Sequence, residues 1–452
     1  MNNFSKKKFA AVFLLLCFAG CKPKVDWQFT ENSGNLNFKH TVVFGSEYLG
    51  GIRDGALFAE AQASSVGALI CKNFPGADPY LFPAMPAGDG LGLNFFNPGK
   101  MNGRARLQLM EDCNHVTSLF PASDTFGISS ATNLLQPVSQ SALSDFTVPY
   151  AKLKDYSDPL LGSVFPTFTA NPFYRRFASA PGASTLLYDA TQQSPTFIIA
   201  WPGMDDVMSY ATHGGEDSLL SLTNFTTAVD DLLGQLMTTA TAGVLANIPD
   251  PEDFPFFTTI PPQGLDLDSA SAAALNGNLQ GVLTFQIGKN GFVAEVSNGV
   301  LNTGIWPRRI DILGAGENIL LSIPLDSLKC WGLGVTRPIP GKYILDSAEL
   351  QTLRNTIDGY NIIIRQECAK YQLAVADMRS FYGQIKTGLL RNGITYSSEF
   401  IKGNFFSLDG LHPNTRGAAM LANEWINAIE YSYLGVRIRK NIIEQFPLTE
   451  FP

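Results

Sequence analysis

Three short stretches carry residues whose types and order could do chemistry. Asp409-Gly410-Leu411-His412-Pro413 places a carboxylate three residues before an imidazole. A carboxylate and an imidazole are residue types that can serve acid–base chemistry. Gly45-Ser46-Glu47 follows an apolar run and offers a hydroxyl and a carboxylate. Gly203-Met204-Asp205-Asp206 adds two further carboxylates after another apolar run. The same residues permit two other readings. Glu47, Asp205, Asp206, Asp409 and His412 could gather as oxygen and imidazole ligands of a divalent ion, although no fixed ligand spacing supports it. Alternatively, Asp409 caps the last helix and His412 is a buried, hydrogen-bonded structural residue. His40, His115 and His213 read as ordinary structural or surface residues, and the Phe254 to Phe257 stretch as core.

Positioning these residues requires elements that end beside one another. Thr41 to Phe44, Thr196 to Trp201, Val244 to Ile248 and Leu373 to Ala376 are short apolar runs, the first three followed by Gly or Pro, which predicts buried strands. Helical spacing runs through Ala56 to Ile70, Leu219 to Met237 and Asn414 to Tyr431. A helix capped by Asp346 or Ser347 carries Leu350, Leu353, Ile357, Ile364 and Cys368 on one face. Ala87 to Gly103 reads as loop. Residues 264–342 read as a β-rich insertion that pads the sheet edge or covers a cleft. Strands alternating with helices predict an α/β fold, a mostly parallel sheet covered on both faces. In such sheets, sites form beyond the carboxyl ends of the strands, where the Gly45 and Gly203 stretches fall, and the Asp409 stretch precedes the last helix.

Composition narrows the function. Of the 452 residues 45% are apolar and 16% are charged, with 32 Lys and Arg against 40 Asp and Glu, a net charge of -8. This excludes a disordered chain and a basic surface for nucleic acid. No cofactor motif is present. The first twenty residues read as an export leader: Lys6, Lys7 and Lys8, then the short apolar run Phe9 to Gly20. Phe18-Ala19-Gly20-Cys21 resembles the lipobox of bacterial lipoproteins. The resemblance implies cleavage before Cys21 and acylation of that residue, a stable anchor at roughly 0.8 kcal/mol per buried methylene. Loss of the three leader lysines would leave 29 cations against 40 acids, or -11. Beyond the anchor, Cys71, Cys113, Cys330 and Cys368 allow three connectivities or none. Pairs Cys71 with Cys113 and Cys330 with Cys368 would close the shorter loops.

The three polar stretches, in this order, resemble the blocks of the SGNH (GDSL) hydrolase family. Gly45-Ser46-Glu47 runs on to Gly51 and Asp54-Gly55-Ala56-Leu57, and Trp201-Pro202-Gly203 to Tyr210-Ala211-Thr212-His213-Gly214-Gly215. Ala246-Asn247-Ile248-Pro249-Asp250 and Phe406-Ser407-Leu408-Asp409 complete a similarity that covers nearly all of residues 21–452. It looks like the large, exported subgroup of these proteins found in Bacteroidetes. The resemblance implies one SGNH-hydrolase-like (flavodoxin-like) domain and, in an active member, a Ser nucleophile, an Asp-x-x-His pair, and Gly and Asn oxyanion donors.

Carried over position by position, Asp409 and His412 match the pair. The nucleophile falls on Glu47, the donor Gly on Tyr150 and the donor Asn on Asp205; the following structural Asp is kept as Asp206. Losing one oxyanion donor typically costs about 10²–10³ in turnover, and losing the hydroxyl removes the acyl-enzyme route. The expectation is an outer-membrane lipoprotein, tethered through Cys21 and catalytically impaired. It would bind an acyl or glycan ligand or serve as a scaffold in an outer-membrane complex. The alternative is an active ester hydrolase using Ser46, or a shifted register, with Asp409 and His412.

Overall fold

The computed structural model describes residues 29–93, 100–127, 135–139, 141–163, 170–278, 283–297 and 308–448. The leader and Cys21 lie outside the described residues. The chain divides into two compact units, Met1–Glu31 and Asn32–Pro452, and the second carries the fold.

Its centre is a five-stranded parallel sheet. β1 (Thr41–Gly45), β2 (Asp145–Thr147), β3 (Phe197–Ala200), β4 (Ala242–Ala246) and β5 (Ala374–Ala376) lie in the order β2-β1-β3-β4-β5. The register sets Thr41 beside Phe197, Val43 beside Asp145, Phe197 beside Ala242 and Val244 beside Ala374. The strands of a sheet covered on both faces read as continuous apolar runs, and β1, β3 and β4 are buried at every position. β2 has only three residues and carries Asp145, too short and too polar to stand out by periodicity.

Helices complete the layers. α1 (Glu47–Gly50) follows β1 directly, and α2 (Val66–Cys71) packs against the last helix. α3 (Met204–Thr212) and α4 (Leu222–Leu236) follow β3; α5 (Ser347–Tyr371) packs on α4 and precedes β5; α6 (Thr415–Ser432) closes the fold. The capping residues explain the boundaries. Asp346 accepts the amides of Ala348 and Glu349 while Glu349 accepts the Asp346 amide, a reciprocal box. Asn414 caps α6. The helix expected over Ala56 to Ile70 is broken: Ala56–Leu57 is a strand, Ala59–Ala63 a short helix, and Ser65 caps α2 anew.

Two excursions leave the sheet. Between β1 and β2 the chain builds a hairpin of Arg106–Glu111 and Thr117–Ala122 and a three-stranded patch of Gly92–Leu93, Lys100–Asn102 and Thr125–Gly127. Those strands replace part of the loop expected at Ala87 to Gly103. Between β4 and β5, the 264–342 segment is mixed rather than purely β-rich. It pairs Leu265–Leu267 with Gly288–Asn290 and Val293–Val296 with Arg309–Ile312, and adds the helices Ser269–Asn278 and Leu325–Cys330. Phe292, Ala294, Val296, Leu313 and Ile339 give it a core of its own.

One disulfide joins the excursions, Cys113 to Cys330. This corrects the pairing by shorter loops. Cys71 and Cys368 are free and buried against the main core, whereas Cys113 lies in the tight turn of its hairpin. Among the described residues no helix is long and apolar enough to cross a membrane.

Candidate functional site

The polar stretches converge beyond the carboxyl ends of β1 and β3, where the strand order reverses and α/β sheets open a crevice. Gly45 ends β1 with φ +90°, and a Cβ there would meet the Tyr156 hydroxyl at 2.7 Å. The chain then turns at once into α1, with Ser46 as N-cap and Glu47 in the first turn. Gly203, at φ +81°, launches α3 so that Asp205 and Asp206 fall in its first turn. Asp409 and His412 sit in a tight loop closed by the Ser407 amide donating to the His412 carbonyl at 2.8 Å.

A chain of ion pairs runs through these elements. Asp409 Oδ2 lies 2.9 Å from His412 Nδ1, and His412 Nε2 lies 3.3 Å from Glu47 Oε1. Asp409 also accepts the amides of Gly55, Leu411 and His412 and the Ser407 hydroxyl. Burial alone would raise the Asp409 carboxyl; the His412 charge and the amide bonds outweigh it and hold the group down at about 2. Burial would lower His412, yet Asp409 and then Glu47 push it up to about 10. Tyr48 stacks on the ring, centroids 4.5 Å apart. With a carboxyl group on each ring nitrogen, His412 is held toward the protonated imidazolium and away from the neutral form that a general base needs. The loop Asp caps no helix, since α6 is capped by Asn414. Asp409 and His412 form instead a buried ion pair.

Ser46 is fully buried and faces away from this chain. Its Oγ accepts the Tyr48 amide at 3.3 Å and lies against Asp205, so it is not delivered to His412. Glu47 occupies the place a hydroxyl would need. The Tyr150 amide donates to Glu47 Oε2 at 2.9 Å, and Tyr150 holds φ +65°, a conformation glycine adopts freely and other residues rarely. Asp205 Oδ1 accepts the Glu47 amide at 3.3 Å. Burial, and next the neighbouring Glu47 charge, drive the Asp205 carboxyl well above the usual carboxylate range. Asp206 is turned inward, accepting the Leu153 amide at 2.9 Å, and burial raises it to about 6.

Glu47, Tyr150, Asp205, Asp409 and His412 line a cavity of about 390 Å³, whereas Ser46 and Asp206 lie outside its lining. Its walls are largely apolar, with Tyr48, Ile52, Leu93, Met208, Phe256 and Leu411. Several members were not legible in the sequence. Lys152 pairs with Asp217, which also accepts the Ser209 hydroxyl, and all three line the cavity together with His213. Only the Tyr210 to Gly215 stretch following Asp205 hinted at them, because α3 carries Ser209 and His213 toward the same side. Phe256 also lines the cavity, while Phe254 and Phe257 are core as expected. His40 and His115 are surface residues paired with Asp78 and Glu111.

Among the described residues no group of three His, Cys, Asp or Glu side chains has the arrangement a metal ion needs. No protein-family model matches the chain, and no curated protein matches it either.

Proposed function

We propose that this chain is an SGNH-type envelope lipoprotein that works by binding rather than by ester turnover, as a binding or scaffold component of an outer-membrane complex. The observation that carries the reading is the seating of Glu47 against His412 Nε2. Ester cleavage at this place needs a hydroxyl nucleophile and a neutral imidazole. The arrangement offers a carboxylate and an imidazolium. The SGNH relationship is supported by the convergence of Glu47, Tyr150, Asp205 and the Asp409–His412 pair on one crevice, and by the left-handed backbone of Tyr150 at the position where the family pattern calls for glycine. The binding role is supported by a cavity of a size that suits a small ligand.

The test is hydrolysis of short-chain aryl esters by the full chain, alongside Ser46→Ala and His412→Ala. No turnover above the buffer rate is expected. Clear turnover that both substitutions abolish would overturn the proposal in favour of an esterase. Anchoring is tested separately, by incorporation of a labelled fatty acid that Cys21→Ser eliminates.

A further inference from the structure

The substitutions that remove ester chemistry also invert the polarity of the cavity floor. Where an oxyanion site presents donors, this floor presents the carboxyl groups of Glu47 and Asp205. Carboxyl groups outnumber cations across the lining. Lys152 pairs with Asp217, while the single His412 ring is shared by Asp409 and Glu47. Asp205 adds a further acid whenever it ionises.

Asp205 is the second, independent observation. Its side chain is only 5% exposed and lines the cavity. Oδ1 accepts the Glu47 amide, but no hydrogen bond of ordinary geometry reaches Oδ2, although the Ser46 hydroxyl lies against the carboxyl group. A buried carboxyl oxygen without a well-made hydrogen bond costs free energy that a ligand can recover.

We propose that the cavity is a site for an ammonium-bearing ligand with a short apolar body, its N–H groups donated to Glu47 and Asp205 and its carbon chain laid against Ile52, Met208, Phe256 and Leu411. This deepens the binding reading of the same site and rests on it. An anion would meet Glu47, Asp205 and Asp217. A neutral alcohol would fill the walls yet bring no charge to balance the excess of carboxyl groups. A primary ammonium carries one positive charge and three donors, which is what two carboxylates ask for.

A proton balance follows. In the empty cavity Asp205 is held neutral by burial and by Glu47, with Asp206 adding to the same effect and the Ser46 hydroxyl opposing it. Its other titratable neighbours are the phenols of Tyr48 and Tyr156, and the Asp409–His412 pair lies beyond Glu47. An ammonium beside Asp205 favours the carboxylate, so binding of the protonated amine releases the Asp205 proton to solvent.

The experiment is calorimetric titration of the full chain with n-hexylammonium, 1-hexanol and hexanoate, each in two buffers of different ionisation enthalpy near pH 7. Hexylammonium is expected to bind at least tenfold more tightly than hexanol, with no binding of hexanoate. Its heat should shift between buffers in the sense of proton release. Asp205→Asn, which keeps the shape, should weaken the amine about tenfold and remove the buffer dependence. Equal or tighter binding of hexanol or hexanoate overturns the ammonium assignment while leaving the binding function standing. Failure of all three to bind also overturns it, and aryl-ester turnover in the same preparation would show that the binding reading had failed as well. Because the three ligands are compared on the unaltered protein, the outcome does not depend on how the variant folds.

Discussion

His412 Nε2 lies 3.3 Å from Glu47 Oε1, so the imidazole faces a carboxylate at the point where a hydrolytic triad holds a hydroxyl. With Asp409 on its other nitrogen at 2.9 Å, the ring is shared between two acids in a buried setting. Geometry that would orient a base becomes geometry that locks a cation.

This arrangement predicts that ester chemistry can be installed. Glu47→Ser combined with Asp205→Asn would place a hydroxyl opposite His412 and an amide donor beside it. It would also remove one of the two charges that keep the ring protonated. Aryl-ester hydrolysis by the double variant should exceed that of the unaltered chain by about 10²-fold or more, consistent with the typical worth of one oxyanion donor. Adding His412→Ala should abolish it. Equal rates with and without His412 would sink the idea.

The pH dependence of stability has a definite sign. His412 is raised from 6.5 to about 10 on folding, so its contribution is complete below about 6.5 and is lost as pH rises through 10. Asp409 is depressed from 3.8 to about 2, so its contribution is complete above 3.8 and is lost as pH falls through 2. The pair supports the fold fully between these limits. His412→Gln should cost roughly 3–5 kcal/mol there, because it strands two buried carboxylates. Thermal unfolding should show the gap to the unaltered chain narrowing from pH 6.5 to pH 10.

Asp205 works in the opposite direction. Its carboxyl is raised by burial and by Glu47, so the cost of ionising it is absent below about 3.8 and grows as pH rises. Asp205→Asn should therefore stabilise the empty protein at pH 7. The advantage should vanish near pH 3.5. Denaturant midpoints at the two pH values decide this, and an equal shift at both would count against the assignment.

Cys113 and Cys330 are 217 residues apart in sequence and tie the two excursions together. Peptide mapping under non-reducing conditions should recover this pair. Cys71 and Cys368, both buried, should resist thiol reagents until the protein unfolds. Reduction, or Cys113→Ser, should lower stability by about 2–4 kcal/mol. Recovery of a Cys71–Cys113 peptide would contradict the structure.

Much of the fold was local enough to be legible. Val43, Phe44, Ile198, Ile199, Val244 and Leu245 stand in apolar runs because strands buried on both faces tolerate nothing else. Asp346 and Asn414 marked helix starts because a cap acts on amides two or three residues away. The Asp409–His412 pair is likewise a contact across three residues. In each case cause and consequence lie within one turn of chain.

What the tertiary structure decided are the relationships between segments. The β2 strand is recognisable only through its pairing with β1. Lys152 meets Asp217 at the crevice and Cys113 meets Cys330 where the two excursions come together, contacts between distant segments that no residue spacing encodes. The roles of Ser46 and Glu47 turned on the same physics. The residues are adjacent in sequence, but at a strand-to-helix junction neighbouring side chains point apart. Ser46 is thereby spent as a cap beside Asp205, and Glu47 reaches His412.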